Sequence, residues 1–569
     1  MPQMDRFDSA FFKRWWSLVE PYWVSDRRRQ GLILLGVLVA LTAMSIGINV
    51  QLSYVWRNVN NALNQRDYAI FRTNVLYVIA IFLVFIPVQA FYPWFTGRLI
   101  IVWREWLTHH FISLQFTNRA YYRIGQIGSV DNPDQRISED IGSFIGGALA
   151  YVDLFGTSLV NGVVFLVILW TISPILVPIC LGYCLVGTWA SVKMGRPLIP
   201  INFDQQRYEA DFRFALVRVR DNAESIAMYS GEQRETGHLL ARFAALFNNY
   251  NRLIFRQRRL AYVTQTYNNC VALLPYMVLA GGYFAHRMEF GQFMQAASAF
   301  GTVKGSFSVV VSTIEGLTGY AAVVNRLATF EEQCRATQAD GGKHIETQES
   351  DRVAVKAMTL RTPDNRETLV SDLSFEVSSG QGLLLRGPSG TGKTSILRAL
   401  AGLWSTGEGQ IERPSLTNTM FLPQKPYLIL GSLRDQICYP RASGLSEAEL
   451  SKVLTEVNLA DLPERSGGFE MELDWASMLS PGEQQRLAFA RLLTNRPRHV
   501  FLDEATSALD QNNQERLYNL LRDMHVTFVS VSHNPALTAY HQQILELFGD
   551  THWKIAATDT RRLDPASAS

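Results

Sequence analysis

Cysteine and net charge are both scarce in this chain, and each shortage removes a class of explanation. The 569 residues hold five cysteines, Cys180, Cys184, Cys270, Cys334 and Cys438. Their spacing matches neither a zinc site nor a disulfide framework, which fits a reducing compartment for the soluble part. The 53 Lys and Arg against 51 Asp and Glu leave a formal charge of +2. Without a basic excess, nucleic acid is not an expected partner. Met1 to Gln30 is charged and polar and lacks the apolar core of a cleavable signal peptide. Long apolar runs, by contrast, are plentiful up to about Val324, while the remainder has the charge density of a soluble domain.

A helical membrane span needs ~20 mostly apolar residues. Residues 31–52, 75–95, 149–172 and 175–192 meet that length, 260–285 is a fair fifth, and 290–314 is a weaker sixth carrying Gln292, Gln295 and Lys304. The runs lack the alternation of a membrane barrel, so helices are expected. Arg27, Arg28 and Arg29 before the first span, and the arginine-rich stretch between spans four and five, place the N-terminus in the cytoplasm. Arg57, Arg66 and Arg72 in the first external loop run against that rule. Six spans return the second half to the cytoplasm. The long segments 96–143 and 193–259 read as helical extensions of the spans into the cytoplasm. Phe11, Phe12, Trp15, Trp16, Leu18 and Val19 form an aromatic face near Lys13 and Arg14, expected to lie on the inner leaflet. Ionisable residues at membrane depth mark functional positions, which makes Asp153, Lys304 and Glu315 cavity candidates. The polar sixth span is expected to face a wet cavity and not lipid.

In the soluble half, Gly387, Pro388, Ser389, Gly390, Thr391, Gly392, Lys393 and Thr394 complete a phosphate-binding loop, G-x-x-x-x-G-K-[ST]. Leu383 to Leu385 reads as the strand entering it, and Ser395, itself set near the nucleotide, opens the helix leaving it. Val500-Phe501-Leu502-Asp503-Glu504 is an apolar strand that delivers two carboxylates to the sheet edge. Asp503 is placed to serve Mg²⁺ opposite Thr394, and Glu504 to polarise the attacking water. Between these elements, Ser480-Pro481-Gly482-Glu483 reads as a capped helix start, which is also an anion site.

Taken together, this set resembles the nucleotide-binding domain of ATP-binding-cassette transporters across about 353–547. Leu479-Ser480-Pro481-Gly482-Glu483 stands at the family's signature, Gln424 at its Q-loop, Asp510 in Ser507-Ala508-Leu509-Asp510 at its D-loop, and His533 at its switch histidine. The resemblance implies ATP and Mg²⁺ as cofactors. Thr394, Gln424 and Asp503 would serve the metal, and Glu504, His533 and Gln424 catalysis. Ser480, Gly482 and Asp510 would complete the nucleotide site of a partner subunit. One cassette per chain implies a half-transporter acting as a homodimer. Two departures stand out: Pro481 replaces a signature glycine, and Leu360-Arg361-Thr362-Pro363 lacks the aromatic that commonly stacks on adenine.

The segments 132–140 and 221–229, together with Pro21-Tyr22-Trp23, resemble the peroxisomal D-subfamily and its bacterial relatives with an SbmA/BacA-like membrane domain. That resemblance implies an exporter-like all-α transmembrane domain joined to an α/β P-loop ATPase domain, in a bacterial inner membrane. It makes Glu224 the residue coupling membrane helices to the ATPase. The expected plan is an N-terminal elbow at 1–30, six membrane helices at 31–330, a linker at 331–352, the cassette at 353–560 and a tail at 561–569. The leading expectation is import of hydrophilic compounds such as cobalamin, peptides or peptide-like antibiotics through a polar cavity. Export, lipid or acyl-CoA transport, and an ATP-gated regulatory protein that does not pump are the alternatives.

Overall fold

Apolar runs flanked by helix-stopping residues turn the first half of the chain into long helices, seen in a computed structural model that describes residues 9–127, 133–339, 345–363, 366–441 and 444–558. The chain divides into two units, Met1–Asn118 with Val130–Arg335, and Arg119–Ser129 with Ala336–Ser569. The first contains α1 (Ser9–Val24), α2 (Arg28–Gln65) and α3 (Tyr68–Phe116), and, after α4 (Ala120–Ile127) of the second unit, α5 (Pro133–Gln135), α6 (Ile141–Ile172), α7 (Leu176–Gly195) and α8 (Leu198–Asp221). It continues with α9 (Ala223–Met228), α10 (Glu232–Phe284), α11 (Phe290–Ser312) and most of α12 (Ile314–Ala339). Local chemistry sets the breaks. Arg66 turns left-handed at φ 56° to end α2, and Asp67 caps α3 by accepting from the Ile70 amide at 3.0 Å. Pro174 after the extended Ser173 separates α6 from α7.

Among the described residues, four helices are long and apolar enough to cross a membrane, beginning at Arg28, Tyr68, Pro133 and Leu176. The expected fifth span lies inside α10, a single helix of 53 residues. The expected sixth is α11, which packs against α2, α6, α7 and α10. Phe165, Leu169, Cys180, Phe300 and Val303 form the core there. Aromatic pairs hold the region near α1: Tyr22 stacks on Trp103 at 5.3 Å and Phe111 on Phe330 at 5.8 Å, each adding ~0.5–1.5 kcal/mol beyond area burial. Arg326 grips the buried Asp140 through two bonds of 2.6 and 2.8 Å.

Two expectations need revision. The aromatic face of α1 is divided: Phe11, Leu18 and Val19 are buried and Trp15 donates to the Tyr320 hydroxyl at 2.8 Å, while Phe12 and Trp16 stay exposed. Much of that face is therefore protein packing and not a leaflet anchor. The stretch expected as a linker at 331–352 is partly regular. α12 runs to Ala339 and a strand occupies Glu346–Glu349. Polarity suggested a linker, but the polar groups support the helix, with Arg335 and Glu331 paired across one turn at 2.6 Å. Gly341, Gly342 and the tail lie outside the described residues.

The second unit holds α4 and two sheets. One has the order β1-β5-β2-β3, from β1 (Glu346–Glu349), β2 (Val353–Arg361), β3 (Thr368–Val377) and β5 (Gly407–Arg413). The other has the order β10-β9-β4-β8-β7-β6, with β4 (Gly382–Arg386), β6 (Thr419–Leu422), β7 (His499–Asp503), β8 (Thr527–Val531), β9 (Gln543–Gly549) and β10 (His552–Ala557). β4, β6, β7, β8 and β9 run parallel, and β10 closes one edge antiparallel. Buried on both faces, β4 and β7 read as unbroken apolar strands. α13 (Lys393–Leu400) follows β4, and α14 (Leu433–Cys438), α15 (Glu447–Glu456), α16 (Leu462–Ser466), α17 (Trp475–Met478) and α18 (Pro481–Asn495) form a helical insert before β7. α19 (Gln511–Asp523) lies between β7 and β8. Arg119 ties the α4 segment to this unit by donating to the Ala401 carbonyl at 3.0 Å.

Candidate nucleotide site

The parallel register of β4, β8 and β7 puts the ends of these strands at one sheet edge, where α/β folds bind ligands. Gly387 leaves β4 at φ +148°, and a Cβ there would lie 2.4 Å from the Leu547 carbonyl oxygen. Gly390 and Gly392 are left-handed at +86° and +89°. No other residue makes this path without strain. The Lys393 side chain is buried and donates to the carbonyls of Gly387 and Pro388 at 2.9 and 2.6 Å. Burial lowers its pKa, while Glu504 and Asp503 act in the opposite direction. Thr391 closes the loop by donating to the Pro388 carbonyl at 3.0 Å.

Thr394 donates to Asp503 at 3.0 Å. Burial raises the Asp503 pKa, opposed by the Thr394 hydroxyl; a desolvated carboxylate of this kind gains from a nearby cation. The pair therefore fits a hard divalent ion. Glu504 adopts φ +47° with its amide on the Val531 carbonyl. Gln424 donates to one Glu504 oxygen at 3.0 Å, and His533 Nε2 stands 3.5 Å from the other. In this arrangement Gln424 engages the candidate base directly, whereas the sequence assigned it to the metal as well.

Ser480 caps α18 in a capping box with Glu483. Burial pushes the Glu483 carboxyl up, but the Ser480 bonds and Arg465, at 2.5 Å, outweigh it and hold the pKa below the usual range. Gly482 sits under the D-loop, where a Cβ would be 3.0 Å from the Ala508 oxygen. Asp510 caps α19, accepting from the Asn513 amide at 2.8 Å. Among the described residues no hydrogen bond joins Ser480 or Gly482 to the phosphate loop of the same chain.

Gln485 escaped the sequence reading. It is buried, donates to the Gln424 carbonyl at 3.1 Å and to Ser507 Oγ at 3.3 Å, and accepts from the Ala508 amide at 3.0 Å. One side chain thus links the signature helix, the Gln424 loop and the turn before Asp510. Its only sequence signal is a place one turn inside the capped helix.

Residues 18–284 match the family described as ABC transporter transmembrane region 2, and 370–507 match the ABC transporter family. An uncharacterized ABC transporter ATP-binding protein of Synechocystis is 42% identical over 92% of this chain and 81% of its own length. This chain belongs to the ABC transporters. Arabidopsis thaliana ABC transporter D family member 2, chloroplastic, is 34% identical over 97% of the chain and 89% of its own length. The human lysosomal cobalamin transporter is 28% identical, covering 97% of each. A bacterial Atm1-family ABC exporter with ATP bound shares the fold, with TM-score 0.67 at 18% identity, covering 94% of this chain and 96% of that one. One membrane domain and one cassette make the chain a half-transporter related to the D family. It is a multi-pass membrane protein that binds ATP and couples its hydrolysis to transport.

The cavity candidates fall in separate places. Asp153 accepts from Thr157 at 3.1 Å. Lys304 donates to Asn268 and lies over the Tyr267 ring. The Glu315 side chain is outside the described residues. Glu224 sits exposed in the first turn of α9.

Proposed function

We propose that this ABC transporter is a homodimeric importer of hydrophilic compounds such as cobalamin, peptides or peptide-like antibiotics, in a bacterial inner membrane. The observation that carries the cargo class is α11: the helix at the centre of the first unit holds a buried Gln295 and a Lys304. Polar groups at membrane depth are costly and face cargo or water paths more often than lipid. The human relative named as a cobalamin transporter supports the same class.

In this reading the 387–392 amides and Lys393 bind the phosphates, with Ser395 beside them. Thr394, Gln424 and Asp503 would hold Mg²⁺, which would neutralise charge on the phosphates. Glu504 takes the proton of the attacking water, positioned by Gln424, while His533 supports the γ-phosphate. Ser480, Gly482 and Asp510 serve the partner's nucleotide; among the described residues, Ser480 and Gly482 make no hydrogen bond to their own phosphate loop. Closure of two cassettes on ATP shifts an inward–outward equilibrium, because only the closed state makes both sets of contacts. Glu224, beside the exposed Met228 and Tyr229, transmits that closure to the membrane helices.

The test is uptake of labelled cobalamin and a short peptide into cells lacking their own route, native chain against Glu504→Gln. Accumulation confined to the native chain supports import. Equal background in both, with the proteins inserted, moves the reading to export, the direction of the solved transporter that shares the fold.

A further inference from the structure

A polar cavity of ≈ 520 Å³ opens among α2, α6 and α11, inside the ~300–1,000 Å³ range of small-ligand sites. It lies toward the ends of α2 and α6 remote from the arginines that begin α2. Asn49, Asn161, Gln295, Trp56 and Arg57 are among the residues that line it, and the Arg57 guanidinium carbon stands 5.2 Å from the centre of the Tyr54 ring. No Asp or Glu is among the lining residues, and among the described residues Arg57 has no carboxylate partner. Neither Asp153 nor Lys304 lines it.

Two observations show a built site. Gln295 is 4% exposed and donates to Ser53 at 3.0 Å, yet its Oε1 has no hydrogen-bond partner. Buried acceptors are almost always satisfied, so an unpaired one on a residue that lines a cavity points to a donor supplied from outside the chain. The second is the rigidity of the wall at Arg57. Gly291 donates to Asn61 at 2.6 Å, and a Cβ on it would stand 2.0 Å from the Arg57 carbonyl oxygen. α11 is thus held against α2 beside Arg57, where Asn61 also donates to the Glu289 carboxylate at 2.6 Å.

We propose that this cavity is a cargo subsite for small monocarboxylates bearing amide groups, the chemistry of short neutral peptides. Arg57 takes the carboxylate in paired hydrogen bonds, Gln295 Oε1 accepts a ligand N–H, and the remaining amides pair with peptide groups. One cation, with no acid among the lining residues, disfavours polycationic peptides. The inference rests on the transport reading and narrows its cargo.

The test measures equilibrium binding to the full-length protein in lipid nanodiscs without nucleotide. The probes are N-acetyl-trialanine with a free carboxylate, the same peptide as its C-terminal amide, and trilysine. The free acid is expected to bind at least tenfold tighter than the amide, with trilysine weakest. Arg57→Gln should erase the preference of acid over amide, Arg57→Lys should restore part of it, and Gln295→Leu should weaken both neutral probes. A native-like size-exclusion profile and melting temperature show that the variants are assembled. Equal affinity for acid and amide, no saturable binding by the native chain, or a preference that survives Arg57→Gln each overturns the subsite. Uptake that persists in Arg57→Gln but stops in Glu504→Gln rejects the subsite and leaves transport standing. Selective binding without Glu504-dependent uptake does the reverse.

Discussion

Replacing Gln485 with Ala should slow ATP hydrolysis without touching any group expected to meet the nucleotide. The side chain is 3% exposed and satisfies the Gln424 carbonyl, Ser507 Oγ and the Ala508 amide at 3.1, 3.3 and 3.0 Å. Truncation strands a buried N–H and a carbonyl, each costing ~1–3 kcal/mol when left unpaired. Because Gln424 itself donates to Glu504 at 3.0 Å, loosening its backbone loosens the proposed base. If half of the lost ordering appears in the barrier, kcat falls by about tenfold to a hundredfold, equal to ~1.4–2.7 kcal/mol. KM for ATP should move by less than about threefold, since the phosphate loop is untouched. Steady-state ATPase kinetics of the purified transporter read both quantities, and thermal unfolding runs beside them. Gln485→Met keeps the volume and loses the polar bonds, so it should behave like Ala. A variant with lowered melting temperature and unchanged kcat would show that Gln485 is only packing, and the link through Gln424 would be wrong.

Other expectations follow from single contacts. Burial presses His541 down to about 4 from the ordinary 6.5, so the unfolded chain takes its proton first as pH falls. Its contribution is complete above pH 6.5 and is lost as pH drops toward 4, by up to ~3 kcal/mol; denaturant unfolding at pH 7 and pH 5 should show the difference, and His541→Leu should flatten it. Pro481→Gly should leave ATPase activity within about tenfold of the native rate, because the Ser480–Glu483 box survives at 2.9 and 2.8 Å; a larger rise would mean that the proline restrains hydrolysis. Glu224→Ala should cut ATP-driven uptake at least tenfold with cargo affinity preserved, whereas lost affinity would place Glu224 in the cargo path.

Contiguous chemistry was legible in the sequence by itself. A phosphate loop is eight adjacent residues whose glycines and lysine act through backbone geometry, so the string fixes the shape. The same holds for the Ser480 capping box and for Val500 to Asp503, where an apolar run can only be a buried strand. Apolar length announced the first four spans for a similar reason: no other element satisfies a backbone in lipid. What the sequence could not decide was which polar groups separated by many residues meet. Gln485 reaches two loops 61 and 23 positions away, and nothing local marks it. The Gln424–Glu504 bond, the grip of Arg326 on Asp140 and the split aromatic face of α1 depend equally on helix packing. So does the cavity at Arg57 and Gln295, whose walls come from three helices. Local rules carry backbone conformation, whereas a hydrogen bond between distant side chains exists only after the fold has placed both partners within 3 Å or so.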